Sequence, residues 1–472
     1  MATTCDICVI GAGSAGLSVA AAAAQFGQRV VLIEKGRMGG DCLNYGCVPS
    51  KSLIAAARHA HCVRSGEAFG IAAAEPRIDF AAVMDHVQGV IEAIAPHDSQ
   101  ERFEKLGVQV IRAPGHFVDA DTVVAGGEEI RARRFVIATG STPTVPPIPG
   151  LDGVDYLTNE TVFANRTAPQ RLIVIGAGPV GLELAQAHRR LGCEVVVVEA
   201  AEPLANEDRE LVSVVLDQLA SEGVEILTRA RVTQVTQAGK NIEVTFTRDD
   251  KSITLSGSHL LVATGRTPTV AGLGLEAAGI ACSKAGISVD AGLRTGNRKV
   301  YAIGDVTGGL QFTHMASYQA GLVIRNALFG LKVAASTDHI PRVTFTDPEL
   351  AHVGLTEAEA RARGGPVSVL RAPFNGNDRA RAERRTEGLI KVVAGRGGRI
   401  LGATIVGHGA DELILPWGLA ISSRLTLKAM IDTVIAYPTL GEISKQAAIG
   451  HYSGLAKNPW VRRLIGMVKW FG

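Results

Sequence analysis

The chain has 472 residues, of which 48 are Lys or Arg and 46 are Asp or Glu, so its formal net charge is only +2. Because this balance creates no strong overall field, it argues against nucleic acid as a partner and favours a small molecule, a metal ion or another protein. The length fits about three domains of ordinary size.

The N-terminal sequence enters an apolar strand pattern almost at once, without the basic segment and cleavage site of a secretory signal. No apolar run approaches the roughly 18 residues of a membrane span. We therefore expect a cytoplasmic protein whose seven cysteines are mostly reduced. In that setting, closely spaced cysteines are more typical of catalysis or metal binding than of a structural disulfide.

The first predicted unit is a strand over residues 5–10, a glycine-rich turn from Gly11 to Gly16, a helix over 17–24 and a second strand ending at Glu34. Glycines keep such a turn tight and let the backbone approach a pyrophosphate at the N-terminus of the following helix. The terminal carboxylate can accept hydrogen bonds from ribose hydroxyls. The pattern predicts a dinucleotide site.

The next segment, GGDCLNYGCVPSKS, holds Cys42 and Cys47 five positions apart. On a regular helix that spacing separates the side chains by about 140°, so a disulfide would need a distorted first turn. Such a bridge closes a very short loop and adds little stability, but a strained, reducible bridge suits a redox shuttle. Two inert core thiols, or half of a zinc site, are the alternatives; the zinc site lacks a second Cys or His pair nearby.

The other close pair, Cys5 and Cys8, lies in the first predicted strand. Side chains three positions apart in a strand face opposite sides of the sheet. We therefore interpret these two cysteines as core packing.

The same pattern returns from Gly176 to Gly181, followed by a helix and a strand ending at Glu199, with equal spacing from the first glycine to the acid. A single glycine-rich turn can serve packing alone, but two copies in this context predict two dinucleotide sites. A carboxylate at Glu199 would repel a 2′-phosphate, and no basic residue follows before Arg209. NADH is therefore favoured over NADPH.

Long, ordered motifs then identify a family. GGDCLNYGCVPSK, both glycine-rich turns, the ATG turns at Ala138 and Ala263, VYAIGDVTG ending at Gly308 and FTDPELAHVGLTEAEA from Phe345 resemble the class I pyridine nucleotide–disulfide oxidoreductases. This family includes dihydrolipoamide dehydrogenase, glutathione reductase and mercuric reductase. The resemblance covers essentially the whole chain.

The resemblance implies an α/β fold with two Rossmann-like dinucleotide-binding domains, for FAD and NAD, and an α+β C-terminal dimerisation domain. The implied boundaries are 1–150 and 270–336 for the two parts of the FAD-binding domain, 151–269 for the NAD(P)-binding domain and 337–472 for the dimerisation domain. It also implies a homodimer whose subunits share each active site.

The implied cofactors are FAD at the first turn, with Asp305 near its ribityl or pyrophosphate region, and NADH at the second, with NADPH disfavoured. The residues assigned to cofactor binding are Gly11, Gly13, Ser14, Gly16, Glu34, Lys35, Gly40, Asp41, Thr139, Gly140, Gly176, Gly178, Gly181, Glu199, Gly265, Arg266, Gly304, Asp305 and Ala316.

The implied reaction passes electrons from NADH through FAD to a Cys42–Cys47 disulfide. Cys47 would lie nearer the flavin, and Cys42 would be the exposed thiol that meets the substrate. Lys51, one helical turn after Cys47, would pair with Glu183 beside the flavin, where its ammonium favours negative charge on the reduced ring.

Tyr437 changes the expected acceptor. Thiol-handling members carry H-P-T-x-x-E on the partner subunit, with His as acid and base, whereas this chain reads YPTLGE with Tyr437 in the His position and Glu442 retained. An unperturbed Tyr, with a pKa near 10, is only about one part in a thousand ionised at pH 7 and is a poor base. It can still donate a hydrogen bond or place an oxygen beside a metal.

Mercuric reductase is the member with Tyr at that position, so a soft metal ion such as Hg(II) is the first expected acceptor. Dihydrolipoamide dehydrogenase is the enzymatic alternative. A non-catalytic flavoprotein scaffold, or a membrane-associated electron-transfer partner, is the alternative of another class. Mercuric reductases usually end in a vicinal cysteine pair, but no cysteine follows Cys282 here. His451 lies about 180° around a helix from Glu442 and is not expected to replace the base.

The C-terminal tail has an amphipathic pattern that begins with a helix-start signal at Asn458 and Pro459. A helix packed on its own dimer is one interpretation, and a weak membrane or partner contact through residues 459–472 is the other. The apolar face holds Trp460, Leu464, Met467, Val468 and Phe471, and the opposite face holds Arg462 and Lys469.

Overall fold

The computed structural model describes residues 3–452 and 459–470. The chain forms two compact units. Unit 1 runs up to Ala201 and again from Val224 to Ala335, and unit 2 holds Glu202–Gly223 and everything from Ser336 onward. The four domain boundaries inferred from the sequence divide the chain more finely than this and stay predictions.

Unit 1 has an α/β composition. Its helices are α1 (Ser14–Gln25), α2 (Gly40–Asn44), α3 (Cys47–Arg64), α4 (Phe80–Ile94), α5 (Gln100–Lys105), α6 (Pro179–Arg190) and α8 (Thr313–Phe329). Its strands are β1 (Thr3–Ile10), β2 (Val30–Ile33), β3 (Val108–Ile111), β4 (Gly115–Phe117), β5 (Thr122–Ala125), β6 (Glu128–Ile137), β7 (Ser141–Pro143), β8 (Arg171–Ile175), β9 (Glu194–Val198), β10 (Val224–Leu227), β11 (Arg231–Ala238), β12 (Asn241–Arg248), β13 (Lys251–Gly257), β14 (His259–Val262), β15 (Arg266–Pro268), β16 (Cys282–Ser283), β17 (Gly286–Ile287) and β18 (Val300–Ala302).

Two sheets carry the glycine-rich turns; the smaller is parallel throughout, and the larger is parallel except at the β6–β5 and β5–β4 pairs, which are antiparallel. The larger has the order β3-β2-β1-β6-β5-β4, with β18 also pairing β6, and the smaller has the order β10-β9-β8-β14. Their central strands are almost continuously apolar and buried, as expected for parallel strands covered on both faces. In each sheet the first strand, β1 or β8, leads into a turn and then a helix, α1 or α6.

The pair Cys5 and Cys8 is buried, as predicted, but the prediction that the two side chains face opposite sides of the sheet is wrong. Both pack into the same apolar cluster. The strand is irregular between them, because the amides of Asp6 and Ile7 both donate to the carbonyl of Arg29, at 2.9 and 3.2 Å. The pairing of β1 with β6 is also interrupted at this point, because the register passes over Asp6 between the pairs Cys5–Ala132 and Ile7–Arg134. Burial raises the pKa of Cys5 to about 11, which suits an inert core thiol.

Unit 2 is built on an antiparallel sheet with the order β19-β20-β23-β22-β21. Trp417 lies fully buried in its core, where the indole N–H donates to the hydroxyl of Ser444 at 3.1 Å. The strands are β19 (Arg342–Thr344), β20 (Glu349–Gly354), β21 (Ser368–Pro373), β22 (Leu389–Ala394) and β23 (Ile400–Gly407). The helices are α7 (Arg209–Ser221), α9 (Glu357–Ala362), α10 (Asp378–Ala382), α11 (Ala410–Leu413), α12 (Leu415–Ser422), α13 (Leu427–Asp432), α14 (Glu442–Gly450) and α15 (Pro459–Val468).

None of the helices in the described part of the chain combines the length and apolar character that a bilayer crossing requires.

The buried side chain of Lys391 forms ion pairs that join the segment Glu202–Gly223 to the rest of unit 2. The ammonium of Lys391, on β22, lies 2.7 Å from Asp208, 3.0 Å from Glu210 and 2.9 Å from Glu357. Only 6% of the lysine side chain is exposed. The hydrogen bond from Arg371 is the main cause that lowers the pKa of Glu210 to about 2, with Lys391 contributing. A buried charge of this kind needs its partners, since an unpaired one is costly.

We expect Lys391→Ala to lower the free energy of unfolding by about 3 kcal/mol, because it leaves three clustered carboxylates without their shared cation. Urea unfolding followed by tryptophan fluorescence measures this, since Trp417 is the buried indole of unit 2. Arg371→Ala, at a more exposed cation, should cost less than about 1 kcal/mol. Equal losses in the two variants would contradict the argument.

The pH dependence has a defined sign. Because the pKa of Glu210 is depressed from 4.5 to about 2, its stabilisation is present above pH 4.5 and is lost as the pH falls towards 2. The difference between wild type and Lys391→Ala should therefore shrink in that range.

Candidate functional site

The two glycine-rich turns have the same geometry. Gly11 has φ +106°, and a Cβ atom there would lie 2.4 Å from the carbonyl oxygen of Ala138. Gly176 has φ +107°, and its Cβ would lie 2.4 Å from the carbonyl oxygen of Ala263. Any side chain would collide with backbone at both positions. Each turn is therefore pressed against the ATG turn that follows a neighbouring strand.

The middle glycines have a different reason to be glycine. A Cβ atom on Gly178 would meet nothing within 4 Å, and one on Gly13 would meet only the Cα atom of Gly40 at 3.9 Å. Packing within the protein does not require either residue. Both precede helices, α1 and α6, whose first turns have no side-chain cap. Open space beside free amides at a helix N-terminus fits a pyrophosphate, so both turns suit a dinucleotide.

The acids at the strand ends are held by the turns themselves. Glu34 accepts hydrogen bonds from the amides of Ala12, at 2.6 Å, and Gly36, at 2.5 Å. Glu199 accepts from the amides of Ala177, at 2.7 Å, and Ala201, at 2.8 Å. A carboxylate has about four acceptor positions, so each acid retains capacity for ribose hydroxyls. The backbone bonds fix where that capacity points.

A break between α2 and α3 brings the two cysteines together. Cys42 lies on α2, and Cys47 is the first residue of α3. Cys47 is exposed and Cys42 is half-buried, which is the reverse of the exposure expected from the family resemblance. Between the helices, a Cβ atom on Gly46 would lie 2.8 Å from a carboxylate oxygen of Asp41 and 3.1 Å from its carbonyl oxygen. Glycine therefore lets the chain turn tightly enough for Cys47 to reach Cys42. This is the distortion that the five-residue spacing demands.

The structure has both cysteines as free thiols, joined by a hydrogen bond that moves their pKa values apart. The bond from Cys42 lowers the pKa of Cys47 from 9.0 to about 6, and the same bond is the main cause that raises the pKa of Cys42. Thr313 lies 3.4 Å from the Cys47 sulfur and lowers its pKa further, and Lys51 contributes in the same direction. The reduced pair therefore holds one proton, on Cys42, and one thiolate, on Cys47.

Lys51 and Glu183, on α3 and α6, form an ion pair of 2.9 Å. Glu183 is 6% exposed and Lys51 is 37% exposed at the side chain. One turn of helix separates Lys51 from Cys47. The pair therefore places a cation beside the thiols and joins the cysteine helix to the second dinucleotide turn. Its assigned role beside a flavin stays a prediction.

A polar network links Asp41, next to Cys42, to Asp305. Arg266 lies 3.2 Å from the carboxylate of Asp41 and donates to the hydroxyl of Ser141 at 2.7 Å. Ser141 in turn donates to Asp305 at 2.5 Å. Asn159 also donates to Asp41, at 3.1 Å. Three residues assigned to cofactor binding therefore share one network.

The remaining residues assigned to cofactors are placed as follows. Gly304, at φ +73°, lies against Ala316 and donates its amide to Gln319 at 2.6 Å. The hydroxyl of Thr139 donates to the carbonyl of Thr269 at 2.8 Å. The turn residues Gly140 and Gly265 have positive φ with open space around them. A Cβ atom on Gly16 or Gly181 would collide with the backbone. Lys35 is exposed, and Ser14 is the first residue of α1. The cofactor roles of all these residues stay predictions.

Tyr437 and Glu442 lie in unit 2. The side chain of Tyr437 is 70% exposed, and its hydroxyl donates to the carboxylate of Asp378 at 2.9 Å. Because that hydroxyl has a single proton, it cannot donate to Glu442 at the same time. The hydrogen bond to Asp378 raises the pKa of Tyr437, with the charge of Glu442 contributing. The phenol is therefore held protonated. His451 lies in edge-to-face contact with Tyr452, at 5.0 Å between ring centroids.

The sequence did not predict the contacts of Thr313 and Ser14 with the thiols, or those of Ser141, Asn159 and Asp378. These polar residues lie outside the motif strings or far along the chain from their partners. Within the described residues, no group of three or more His, Cys, Asp or Glu side chains is arranged to hold a metal ion.

The family profile described as pyridine nucleotide-disulphide oxidoreductase matches residues 5–320, and the dimerisation-domain profile of the same family matches residues 340–448. A mercuric reductase from Bacillus cereus is 36% identical over 447 residues, which is 94% of this chain and 71% of the relative. A dihydrolipoyl dehydrogenase from Geobacillus stearothermophilus is 36% identical over 448 residues, 93% of this chain and 94% of the relative.

Among solved structures, the Cu(II) complex of the HOCl-induced flavoprotein disulfide reductase RclA from Escherichia coli matches with a TM-score of 0.84. It is 28% identical to this chain and covers 93% of it, and the match covers 99% of RclA. The α/β architecture with two dinucleotide-binding domains and a C-terminal dimerisation domain is thereby confirmed.

In the reduced protein, iodoacetamide should label Cys47 with a pH midpoint near 6, because the thiolate is the reacting form. Replacing the hydrogen-bonding neighbour, as in Thr313→Val, should move the midpoint to higher pH. Peptide mass mapping after timed labelling measures the rate at Cys47 alone.

Thr142→Val, at an exposed threonine, is the matched control and should leave the Cys47 midpoint in place. A wild-type midpoint near 9, or equal behaviour of Thr313→Val and Thr142→Val, would show that the shared proton and the threonine contact do not set the reactivity.

Proposed function

This chain belongs to the pyridine nucleotide–disulphide oxidoreductase family, and on that premise we propose that it passes electrons from NADH through FAD to Cys42 and Cys47 and then to a soft metal ion such as Hg(II). Membership makes the protein an FAD-dependent oxidoreductase acting on a disulfide or a metal ion. The alternative of a non-catalytic flavoprotein scaffold is therefore not retained.

The cysteine pair supports the first half of the proposal. Bound FAD supplies the two-electron chemistry between the nicotinamide and the sulfur atoms. On the protein side, Lys51 and Glu183 hold a charge pair one helical turn from Cys47, and the Cys42–Cys47 hydrogen bond keeps a thiolate available at neutral pH. The thiolate form of cysteine, and not the thiol, acts as a nucleophile and as a metal ligand. The half-buried Cys42, which carries the proton, is the sulfur we assign to the acceptor.

The observation that carries the metal assignment is the hydrogen bond from Tyr437 to Asp378. Oxidation of a dithiol releases protons that a base must remove, and a phenol with a raised pKa is unsuited to this. Reduction of Hg(II) to the metal consumes two electrons and no proton. Binding a dication to both sulfurs requires only that Cys42 lose its proton, since Cys47 is already ionised. The metal acceptor therefore needs no histidine.

The names of two similar proteins also support a soft metal ion as the electron acceptor. The Bacillus cereus relative is named a mercuric reductase, and the RclA structure is a Cu(II) complex. Both Hg(II) and copper are soft partners for thiolates. Dihydrolipoamide is the second candidate substrate, favoured by a dihydrolipoyl dehydrogenase at the same 36% identity.

The dimerisation-domain match supports a homodimer in which the partner subunit contributes the segment with Tyr437 and Glu442 to each active site. The phenol would then stand beside the metal as an oxygen neighbour or hydrogen-bond donor.

NADH is the proposed electron donor because the carboxylate of Glu199 is fixed at the end of β9 by two backbone amides. A 2′-phosphate placed there would meet like charge. The next basic residue after Glu199 along the chain, Arg209, donates to the carbonyl of Pro203 at 2.7 Å.

Purified protein loaded with FAD should oxidise NADH in a Hg(II)-dependent manner, and Cys42→Ser should lower that rate by about 100-fold or more because the metal loses one of two sulfur ligands. With dihydrolipoamide and NAD⁺, wild type should turn over slowly, and Tyr437→His should raise the rate at least about tenfold by supplying a base. Steady-state absorbance at the NADH band measures both reactions.

Tyr452→His places the same new side chain at another exposed tyrosine and should leave dihydrolipoamide turnover unchanged. Fast wild-type turnover of dihydrolipoamide, with no Hg(II)-dependent oxidation of NADH, would replace the metal assignment with the dehydrogenase alternative.

The ratio of kcat/KM for NADH over NADPH should exceed about tenfold, since charge repulsion in a partly buried site costs more than about 1.4 kcal/mol. Glu199→Ser should reduce the ratio, whereas Glu194→Ser, at an exposed position of the same strand, should preserve it. An unchanged ratio in Glu199→Ser would remove Glu199 as the determinant.

A further inference from the structure

Helix α15 (Pro459–Val468) presents an apolar surface to solvent. None of its residues is buried. The large apolar side chains are among the most exposed in the protein: Trp460 at 74%, Leu464 at 57%, Ile465 at 53%, Met467 at 57%, Val468 at 63%, and Trp470 just beyond the helix at 91%. At 100° per residue, those within the helix fall on one continuous face. Phe471, which the sequence adds to this face, lies outside the described residues.

The rest of this segment is basic. Arg462, Arg463 and Lys469 are its only charged residues, and no acid occurs from residue 459 to the C-terminus. Arg462 and Lys469 fall opposite the apolar face, and the guanidinium of Arg463 lies 5.6 Å from the ring centre of Trp460. The three cations exceed the formal net charge of the entire chain, which is +2. The exposed apolar helix α15 is therefore accompanied by basic side chains alone.

The exposed apolar face and the basic residues of α15 together indicate which kind of surface the helix can bind. A second α15 would bring like charges together, whereas an anionic surface complements the cations. A tryptophan at the start of an apolar face, with lysine and arginine on the opposite side, is typical of helices that lie in the headgroup region of a bilayer. Ten helical residues are about 15 Å long, roughly half of the hydrocarbon thickness, so this helix is too short to span it.

We propose that α15 is a peripheral anchor that binds anionic phospholipid surfaces, lying in the interface with its apolar face towards the acyl chains and its three basic residues at the lipid phosphates. This proposal is independent of the electron acceptor. In this proposal α15 contacts a membrane surface and does not pack against another subunit.

Flotation of the FAD-loaded protein with vesicles tests the proposal. The wild type should float with vesicles of phosphatidylcholine and phosphatidylglycerol in equal parts and not with phosphatidylcholine alone, and added salt should release it. The variant Arg462→Gln/Arg463→Gln/Lys469→Gln should bind about 100-fold more weakly, because each of the three basic residues contributes about fivefold near an anionic surface. Leu464→Ser/Met467→Ser/Val468→Ser should also lose binding.

The matched control, Lys240→Gln/Lys251→Gln/Lys284→Gln, removes the same charge from exposed positions elsewhere and should float like wild type. Oxidation of NADH should be the same in all variants, which shows that each is folded. Three results would overturn the proposal: no flotation of the wild type, equal flotation with both lipid compositions, or flotation that survives deletion of residues 459–472. A deletion that instead dissociates the dimer, measured by sedimentation, would assign the apolar face to a second copy of the chain.

Discussion

The proposed chemistry of this protein depends on one proton that is shared between the sulfur atoms of Cys42 and Cys47. The hydrogen bond between Cys42 and Cys47 separates their pKa values, so that the reduced pair holds one thiol and one thiolate near neutral pH. That bond exists because the chain breaks its helix at Gly46, where a side chain would meet Asp41. Thr313 and Lys51 add to the stabilisation of the Cys47 thiolate. The glycine at this break therefore allows the close approach of the two sulfur atoms on which the proposed electron transfer depends.

The two candidate acceptors differ in whether the protein must supply a base that removes protons from the substrate. A dithiol must be deprotonated as it is oxidised, whereas a soft metal dication needs electrons and two sulfur ligands. Tyr437, held by Asp378, retains its proton and cannot take another from a substrate. In the proposed mechanism the electron path is the same for either acceptor, and Tyr437 is the side chain that distinguishes the two substrates.

The sequence was most informative where a physical requirement repeats. Both glycine-rich turns, their acids and the unusual spacing of Cys42 and Cys47 could be interpreted from steric and hydrogen-bonding rules, and the family and fold followed. Long-range contacts could not be found in this way. Thr313 lies 266 positions from Cys47, and Asp378 lies 59 positions from Tyr437, so no local pattern connects them. The orientation of Cys5 and Cys8 was predicted wrongly because the irregularity at Asp6 cancels the alternation on which strand reasoning depends.

The most direct test of electron transfer through the cysteine pair is thiol mapping before and after anaerobic addition of NADH to the air-oxidised, FAD-loaded protein. Iodoacetamide should label Cys42 and Cys47 only after NADH is added, while the exposed thiols of Cys62 and Cys282 should be labelled in both samples. If Cys42 and Cys47 are labelled equally without NADH, or remain unlabelled after the flavin has been reduced, the pair is not the route by which electrons leave this protein.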